Sequence, residues 1–292
     1  MERHRPNRAE TGAQWPPWYH EAMAFLPRLH LFEFNDQPWI PDILRRQLTG
    51  FIQTLLVKTI QHNAFMEKKF TNLIATGLSA TDSNQIVDLC AGGGGPWLAL
   101  QPTVEAAMQQ PVYVRLTDKF PNINAFIQST NALPERIGFS VQPVDATDVS
   151  GALKGVRTLF DALHHFRPDS AAAILKDAVT HQEPIIVFEA PARHPLHLLQ
   201  MLFGLPFTVL LLTPFIRPFE WSWLVLTYLI PLSVLMIVWD GFVSCLRAYT
   251  PAELLDLARR ADPDDKFDWE SGSFLPGYIG AIYLIGTPKS AE

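Results

Sequence analysis

The chain has 292 residues, of which 48% are hydrophobic and 18% charged, and its formal net charge is -6. That length favours one large domain with additions, and a negative charge without any basic run argues against a nucleic-acid partner. Its two cysteines, Cys90 and Cys245, are too few for a disulfide framework and fit a reducing compartment. The polar N-terminus is followed by no apolar run, so we expect no secretory signal.

Residues 1–79 are predicted to form an N-terminal helical region outside any sheet. Aromatic side chains cluster at 15–19 and 32–39, and residues 43–56 have the apolar periodicity of a helix. Such a region either caps a substrate pocket or packs against the outside of the fold, and the sequence leaves both possibilities open.

A glycine run follows the first predicted strand. Residues 86–97 read Ile-Val-Asp-Leu-Cys-Ala-Gly-Gly-Gly-Gly-Pro-Trp. An apolar strand runs into Asp88, four glycines allow a sharp turn, and Pro96 suits the first turn of a helix over 97–108. A strand, a tight turn and a helix N-terminus in this order predict a cradle for a nucleotide-type cofactor.

A dinucleotide site is the alternative interpretation of the glycine run. Its fingerprint needs small residues at the first, third and sixth positions. Counted from Gly92, the third position is Gly94 but the sixth is Trp97. Indole bulk at that position opposes close packing of helix against strand, so a nicotinamide-dependent oxidoreductase is disfavoured.

Later strands are predicted to end in polar residues. The predicted strands are 112–118, ending in Asp118; 139–144, followed by Asp145 and Ala146; 158–162, leading into Leu-His-His-Phe; and 184–188, followed by Glu189. Helices are predicted between them at 122–131 and 169–180. This alternation indicates βαβ units and a parallel sheet, and a carboxylate at Asp118 would accept both ribose hydroxyls of a nucleoside.

A long hydrophobic insertion follows the fifth strand. Residues 198–216 and 221–239 are two uncharged runs of nineteen residues, separated by Arg-Pro-Phe-Glu. Because about twenty apolar residues span a bilayer core, the insertion is predicted to be a helical hairpin that dips into or through a membrane. Three prolines within it would also suit a re-entrant hairpin, and a buried helical pair in a soluble dimer is the other alternative.

The flanks of the insertion bear on its orientation. Arg193 and Arg247 flank the end from which both helices leave, which favours a cytoplasmic catalytic face. We expect Asp240, which follows the second run, to be solvated.

Thr250 and Glu253 predict a capping box for a helix over 251–260. Strands over 267–274 and 278–286 are predicted to close the sheet as an antiparallel hairpin.

The spacing of Asp88, Gly92 and Gly94 resembles motif I of the class I S-adenosylmethionine (SAM)-dependent methyltransferases, although Cys90 stands where the first glycine usually is. The resemblance covers residues 80–192 and 249–288, and leaves 193–248 as the insertion, which we expect to be a membrane anchor. It implies an α/β, Rossmann-like, seven-stranded methyltransferase sheet with the N-terminal helical cap. It also implies SAM as cofactor, with Asp145 at the adenine amino group. The implied SAM-binding residues are Asp88, Ala91, Gly92, Gly94, Asp118, Lys119, Asp145 and Ala146.

Methyl transfer from a sulfonium needs a base only when the nucleophile must lose a proton. The candidate catalytic residues at the strand ends are His164, His165 and Glu189, and each could instead be structural. No cysteine–histidine spacing suggests zinc. The predicted function is methylation of a hydrophobic small-molecule or lipid-like acceptor at a membrane; the alternative is a non-catalytic SAM-binding scaffold or sensor.

Overall fold

A computed structural model describes residues 26–274 and 281–289 of the chain. Helices alternate with strands through its central part. The strands are β1 (Gln85–Asp88), β2 (Tyr113–Leu116), β3 (Ile137–Phe139), β4 (Val156–Phe160), β5 (Ile185–Glu189), β6 (Phe267–Phe274) and β7 (Ala281–Pro288). The helices are α1 (Asp42–Gln61), α2 (Ala64–Ser79), α3 (Trp97–Met108), α4 (Ile123–Ala132), α5 (Pro168–His181), α6 (Pro195–Phe215), α7 (Trp221–Leu229), α8 (Leu232–Arg247) and α9 (Pro251–Ala261).

All seven strands form one sheet in the order β3-β2-β1-β4-β5-β7-β6. The first five are parallel, and β7 pairs antiparallel with both β5 and β6. Every residue of β4 and β5 is buried, as expected of central parallel strands that helices cover on both faces. The predicted Rossmann-like sheet with an antiparallel closing pair is therefore confirmed. Its order reverses between β1 and β4, where open α/β sheets bind ligands at the carboxyl ends of their strands.

Two helical layers cover the sheet. On one face, α2, α3 and the end of α1 pack through residues such as Phe70, Ile74 and Leu100. On the other face, α5 and α9 pack through residues such as Leu175 and Leu257. The capping box predicted at the start of α9 is present, because Thr250 and Glu253 exchange side-chain and backbone hydrogen bonds.

The third strand differs from the prediction. It was expected over 139–144 but ends at Phe139, and Asp145 lies in the loop that follows. The strand is short because its partner β2 ends at Leu116, which pairs with Phe139. Beyond Phe139, β2 offers no backbone groups with which β3 could continue its hydrogen bonds. The turn predicted around Pro276 lies outside the described residues.

The second apolar run is broken at one of the three prolines that allow a re-entrant hairpin. The first run lies in one helix, α6, of 21 residues, which by length and composition is able to cross a membrane. The second run is divided into α7 and α8, whose axes are bent by 80° at a short break. Pro231 stands at this break, and proline cannot continue a helix because it lacks the N–H and its ring clashes with the preceding turn. The second run is therefore a bent pair and not one straight helix.

A buried ion pair ties the sheet to helix α5. Arg157 on β4 is fully buried, and its Nη1 donates to the carboxylate of Asp177. The Nε and Nη2 of this guanidinium have no hydrogen-bond partner among the described residues. The buried positive charge of Arg157 is therefore compensated by the carboxylate of Asp177.

We expect Asp177→Leu to lower the free energy of unfolding by about 3–5 kcal/mol, because it leaves an uncompensated buried charge. Urea unfolding followed by circular dichroism measures this loss. Lys176→Leu, an exposed neighbour on the same helix, is the control and should change stability by less than about 0.5 kcal/mol. The double variant Arg157→Met/Asp177→Leu should recover most of the loss; equal stability of Asp177→Leu and wild type would contradict the prediction.

Candidate functional site

The loop after β1 has a backbone that few residues other than glycine adopt. Gly92, Gly94 and Gly95 have φ values of 54°, 111° and 58°, in the left-handed region that favours glycine. Cys90 also has a positive φ of 55°, which explains why a glycine usually occupies its position in the family that the sequence resembles. The loop places Ala91 and Gly92 beside the end of β2, where the Ala91 N–H donates to the carbonyl of Thr117 at 2.9 Å.

The glycines of this loop serve two different purposes. A Cβ added to Gly93 would lie 2.6 Å from the Thr49 carbonyl oxygen of α1, and one added to Gly94 would lie 2.6 Å from Gln53 Nε2. At these two positions glycine lets helix α1 pack directly on the loop. At Gly92 the nearest neighbour of such a Cβ is at an ordinary contact distance of 3.9 Å, and the residue is only partly buried. The N-terminal helical region thus covers part of the loop, and Gly92 is the member at which a ligand can approach the backbone.

Asp88 supports the loop from its buried side. Its carboxylate is 1% exposed and accepts a hydrogen bond of 2.7 Å from the Thr158 hydroxyl. Its other oxygen lies 2.9 Å from the position of a Cβ on Gly95. Burial raises the pKa of this carboxyl to about 7. Asp88 therefore shapes the loop, and a ligand on the open side would contact it only indirectly.

Asp118 connects the glycine loop to the second strand. One carboxylate oxygen accepts the Gly92 N–H at 2.8 Å, and the other accepts the Phe120 N–H at 2.8 Å. The side chain is half-buried, and a carboxylate has about four lone-pair sites, so it retains acceptor capacity for a ligand. This is the arrangement expected of a ribose-binding residue.

Lys119 and Asp145 meet beside Asp118. Lys119 Nζ lies 2.7 Å from an Asp145 oxygen, and both side chains are substantially exposed. The Lys119 hydrogen bond, with those from the Thr147 backbone and hydroxyl, lowers the pKa of Asp145 to about 2. Ala146 is buried next to it. The structure thus brings the sequence-predicted cofactor residues of β1, β2 and the loop after β3 to one edge of the sheet.

His164 and Glu189 form a buried dyad at the ends of β4 and β5. His164 Nδ1 lies 2.5 Å from Glu189 Oε2, and the other Glu189 oxygen accepts the Leu163 N–H at 2.7 Å. The His164 Nε2 has no hydrogen-bond partner among the described residues. A carboxylate that holds Nδ1–H leaves Nε2 as the free acceptor, which is the form that a general base needs.

His165 has a different environment from its neighbour. Burial alone would lower its pKa, but the carboxylates of Glu33 and Asp36 raise it to about 9. Its Nδ1 lies 2.9 Å from Asp36, and the guanidinium of Arg247 bonds both carboxylates. His165 is therefore protonated at neutral pH and acts as part of an ion-pair network, so the two histidines that the sequence left equivalent are distinguished here.

The same cluster has the dimensions of a metal site. Ligand atoms of Glu33, His164 and His165 lie within 4.8 Å of one another. However, Arg247 Nη1 is already 3.2 Å from a Glu33 oxygen and 2.6 Å from an Asp36 oxygen. A guanidinium at this position supplies the positive charge that a metal ion would otherwise bring, so the cluster is explained without one.

A cavity of about 140 Å³ lies beside the dyad. It is enclosed by α1, by the insertion and by the ends of β4 and β5. Most of its wall is apolar, with members such as Phe51, Leu55 and Leu205. Its ionisable members are Glu33, Asp161, His164, His165 and Asp240.

Two residues of this cavity depart from what the sequence indicated. Asp161 directly follows β4, and burial together with nearby Glu189 raises its pKa to about 6; its place at a strand end is a signal that sequence reasoning missed. Asp240 was expected to be solvated but is buried, because its carboxylate accepts the N–H groups of Phe34 and Asn35 at 2.7 and 3.0 Å. It thereby fixes the N-terminal segment against α8. No local sequence pattern identifies Glu33 or Arg247 as partners in the same site.

The strand order, the glycine loop and the antiparallel β7 together give the chain the class I SAM-dependent methyltransferase fold. No protein-family profile and no curated protein sequence matches the chain.

Solved structures resemble the chain at low identity. One is an O-methyltransferase family protein from Burkholderia thailandensis, at 14% identity and a TM-score of 0.44; the match covers 78% of this chain and 57% of that protein. Another is magnesium protoporphyrin IX methyltransferase from Synechocystis PCC 6803 with bound SAM, at 13% identity and 0.42, covering 79% and 84%. A bacterial Hen1 methyltransferase domain matches at 12% identity and 0.45, covering 75% and 98%. Likeness at this level concerns the fold alone.

Proposed function

We propose that the protein is a SAM-dependent methyltransferase that acts on a hydrophobic or lipid-like acceptor at a membrane. The observation that carries this proposal is the hydrogen bond between Asp118 and the Gly92 N–H, made at the carboxyl ends of β1 and β2, where β1 is also one of the two strands between which the strand order reverses. A carboxylate and an accessible glycine backbone side by side suit a ribose and the adjoining part of a nucleoside cofactor.

The residues around the loop fit SAM. Gly92 is only partly buried, Asp118 retains acceptor capacity for ribose hydroxyls, and we place the adenine amino group beside Asp145 at the same edge of the sheet. When bound, SAM supplies an electrophilic methyl group on a sulfonium. Trp97 is fully buried and packs edge-on against Phe160, so the helix start has no small residue of the kind that a dinucleotide needs.

The dyad supplies the base. Glu189 holds the Nδ1–H of His164, and the Nε2 of His164 takes the proton from an acceptor hydroxyl as the methyl group is transferred. His165 is protonated and does not compete for this role. We therefore assign His164 as the general base, Glu189 as its positioning residue, and His165 to the network that fixes Glu33 and Asp36.

The cavity wall indicates the chemistry of the acceptor. Its apolar members suit an acceptor with a hydrocarbon body. Of its acidic members, Glu33 is paired with Arg247 and Asp240 accepts two backbone N–H groups, whereas Asp161 lies beside the dyad and suits a head group that donates a hydrogen bond, such as a hydroxyl or an amine. The acceptor class that we propose is therefore an amphiphile with a neutral or cationic donor group, such as a phenol.

The membrane part of the proposal rests on the insertion. Helix α6 has the length and composition of a membrane helix, and the insertion forms part of the cavity wall through Met201, Leu205 and Ile237. A lipid-like acceptor would thus reach the dyad beside the membrane. The cytoplasmic face predicted from Arg193 and Arg247 stays a prediction from the sequence, because both guanidinium groups are buried and paired with carboxylates of the chain.

Calorimetric titration of the detergent-purified protein with SAM, and separately with NADH, tests the cofactor. We expect micromolar binding of SAM and no binding of NADH. Binding of NADH alone would indicate an oxidoreductase. SAM binding without methyl transfer from labelled SAM to any of a series of short- and long-chain alkylphenols and alkylamines would favour the non-catalytic scaffold.

A further inference from the structure

The exposed apolar surface of the protein is concentrated in the insertion. Among the described residues, 25 large hydrophobic side chains are exposed, and sixteen of them lie between positions 196 and 235. The most exposed include Phe207 at 73%, Leu211 at 68%, Trp221 at 77% and Leu229 at 77%. A concentration of exposed apolar side chains in one segment marks an interaction site, because scattered single residues would be the ordinary outcome. We call the exposed residues of 196–235 the apolar face.

The buried side of the insertion combines apolar packing with buried polar groups. Val209, Trp223 and Ile237 form one apolar cluster with residues of α1, and Thr213, Thr227 and Ser233 are fully buried beside it. Gln47 of α1 is also fully buried; it donates to Thr227 at 2.9 Å and accepts from Ser233 at 2.7 Å. The polar groups of the insertion thus find partners within the protein, while the exposed side chains of 195–235 are apolar apart from Arg217. An exposed side of this composition suits an apolar outer medium, because water solvates such side chains poorly.

The tip of the insertion returns to the body of the protein. Ile216, between α6 and α7, is fully buried, and a Cβ added to Gly50 of α1 would lie 2.7 Å from its Cγ2. At the same tip, Glu220 forms an ion pair with Arg46 of α1 at 3.1 Å. In a hairpin that crosses a bilayer, this tip would lie about 30 Å from the catalytic domain, on the far side of the hydrocarbon core. Here it lies against the helix that packs on the glycine loop.

An aromatic and cationic group stands at this tip. Phe219 and Trp221 have ring centroids 5.3 Å apart, and the guanidinium of Arg217 lies 5.8 Å from the centroid of the Phe219 ring. Amphipathic rings and a cation with an apolar stem are the side chains that favour the boundary between lipid head groups and acyl chains. This group makes a lipid surface a better partner for the apolar face than a second copy of the chain.

We infer that the insertion docks on a single leaflet of a lipid bilayer through the apolar face, and that no helix of 195–247 crosses the membrane. This inference rests on the membrane association in the proposed function and specifies its geometry. Helix α6 lies with one side on α1 and the other in the leaflet, and the catalytic domain stays at the surface. The two possibilities that the sequence left open, spanning and shallow insertion, are thereby resolved in favour of the shallow one.

Flotation with vesicles of phosphatidylcholine and phosphatidylglycerol tests the docking surface. We expect wild type to float with the vesicles, and the triple variant Phe207→Ser/Leu211→Ser/Leu229→Ser to bind at least about tenfold more weakly. Ile127→Ser, which removes an exposed apolar side chain from α4, is the control and should float like wild type. Unchanged SAM affinity in the triple variant shows that its fold is intact. Flotation of that variant equal to wild type overturns the assignment of the surface.

Labelling from inside the vesicles tests the geometry. A membrane-impermeant maleimide is trapped in sealed vesicles, and Phe219→Cys protein is added outside; the native Cys90 and Cys245 are half-buried and buried. We expect no labelling. Vesicle binding together with labelling from the lumen would overturn single-leaflet docking and leave membrane association standing. Absence of any vesicle binding would overturn both, and a wild-type dimer that the serine variant dissociates would assign the apolar face to a second copy.

Discussion

Asp118→Ala is expected to weaken SAM binding by about 3 kcal/mol, or about a hundredfold, because it removes hydrogen bonds from a charged acceptor to two ribose hydroxyls. Isothermal titration calorimetry measures the change directly. The carboxylate also accepts the Gly92 N–H at 2.8 Å, so part of the loss comes from a less ordered glycine loop. The effect should be the largest of any single cofactor-site substitution, since no other described side chain joins the loop to β2.

Two further variants separate binding from folding. Asp118→Asn keeps one oxygen for the Gly92 N–H and should lose less affinity than Asp118→Ala. Asp268→Ala removes an exposed aspartate from β6, away from the loop, and should bind SAM like wild type. Equal SAM affinity for Asp118→Ala and wild type would show that the pocket lies elsewhere on the sheet.

His164→Gln is expected to lower kcat for methylation of a phenolic acceptor by a factor between roughly 10² and 10⁴, with SAM affinity unchanged. The substitution removes the imidazole, whose Nε2 is the proposed proton acceptor of the dyad. It leaves the proposed cofactor-binding residues unchanged. Single-turnover transfer from labelled SAM to the alkylphenol that serves best as acceptor measures the rate. Partial recovery of the rate by added imidazole would identify the loss as that of a base.

His165→Gln is the matched control, because the two histidines are neighbours whose ring centroids lie 4.3 Å apart. Since His165 is already protonated at neutral pH, its loss should lower kcat by less than about tenfold and act mainly on thermal stability. The reverse pattern, with His165→Gln inactive and His164→Gln close to wild type, would reassign the base. A scaffold without catalytic activity would transfer no methyl group even as the wild-type protein.

Local sequence patterns predicted those site residues that lie at strand ends and in turns. The glycine run, Pro96 and the carboxylates at Asp88 and Asp118 are short-range signals, and each lies where its spacing indicated. Asp145 lies at the predicted place in the chain but in a loop, because the length of β3 depends on its partner β2. Asp161 could have been found from its place after β4. Glu33 and Arg247 are 214 positions apart, and no local pattern relates them.

For the insertion, the sequence determines which segments are apolar, and tertiary packing decides where those segments lie. The hydropathy of the sequence alone established two apolar runs and a break between them. The free energy of transferring a side chain out of water is a property of the residue type, so it can be read without knowing the fold. Whether the runs cross a membrane depends on what their other side contacts. Gly50 admits Ile216, Gln47 binds Thr227 and Ser233, and Arg46 pairs with Glu220, so the tip stays on α1.

The same division holds for the candidate catalytic residues. The sequence by itself determined the fold class, the glycine loop and the set of His164, His165 and Glu189, because these follow from periodicity and from residue chemistry. Only the tertiary structure decided their roles. Glu189 lies 2.5 Å from His164, and Glu33 and Asp36 surround His165. A histidine's protonation is set by the charges around it, and those charges come from parts of the chain that only folding brings together.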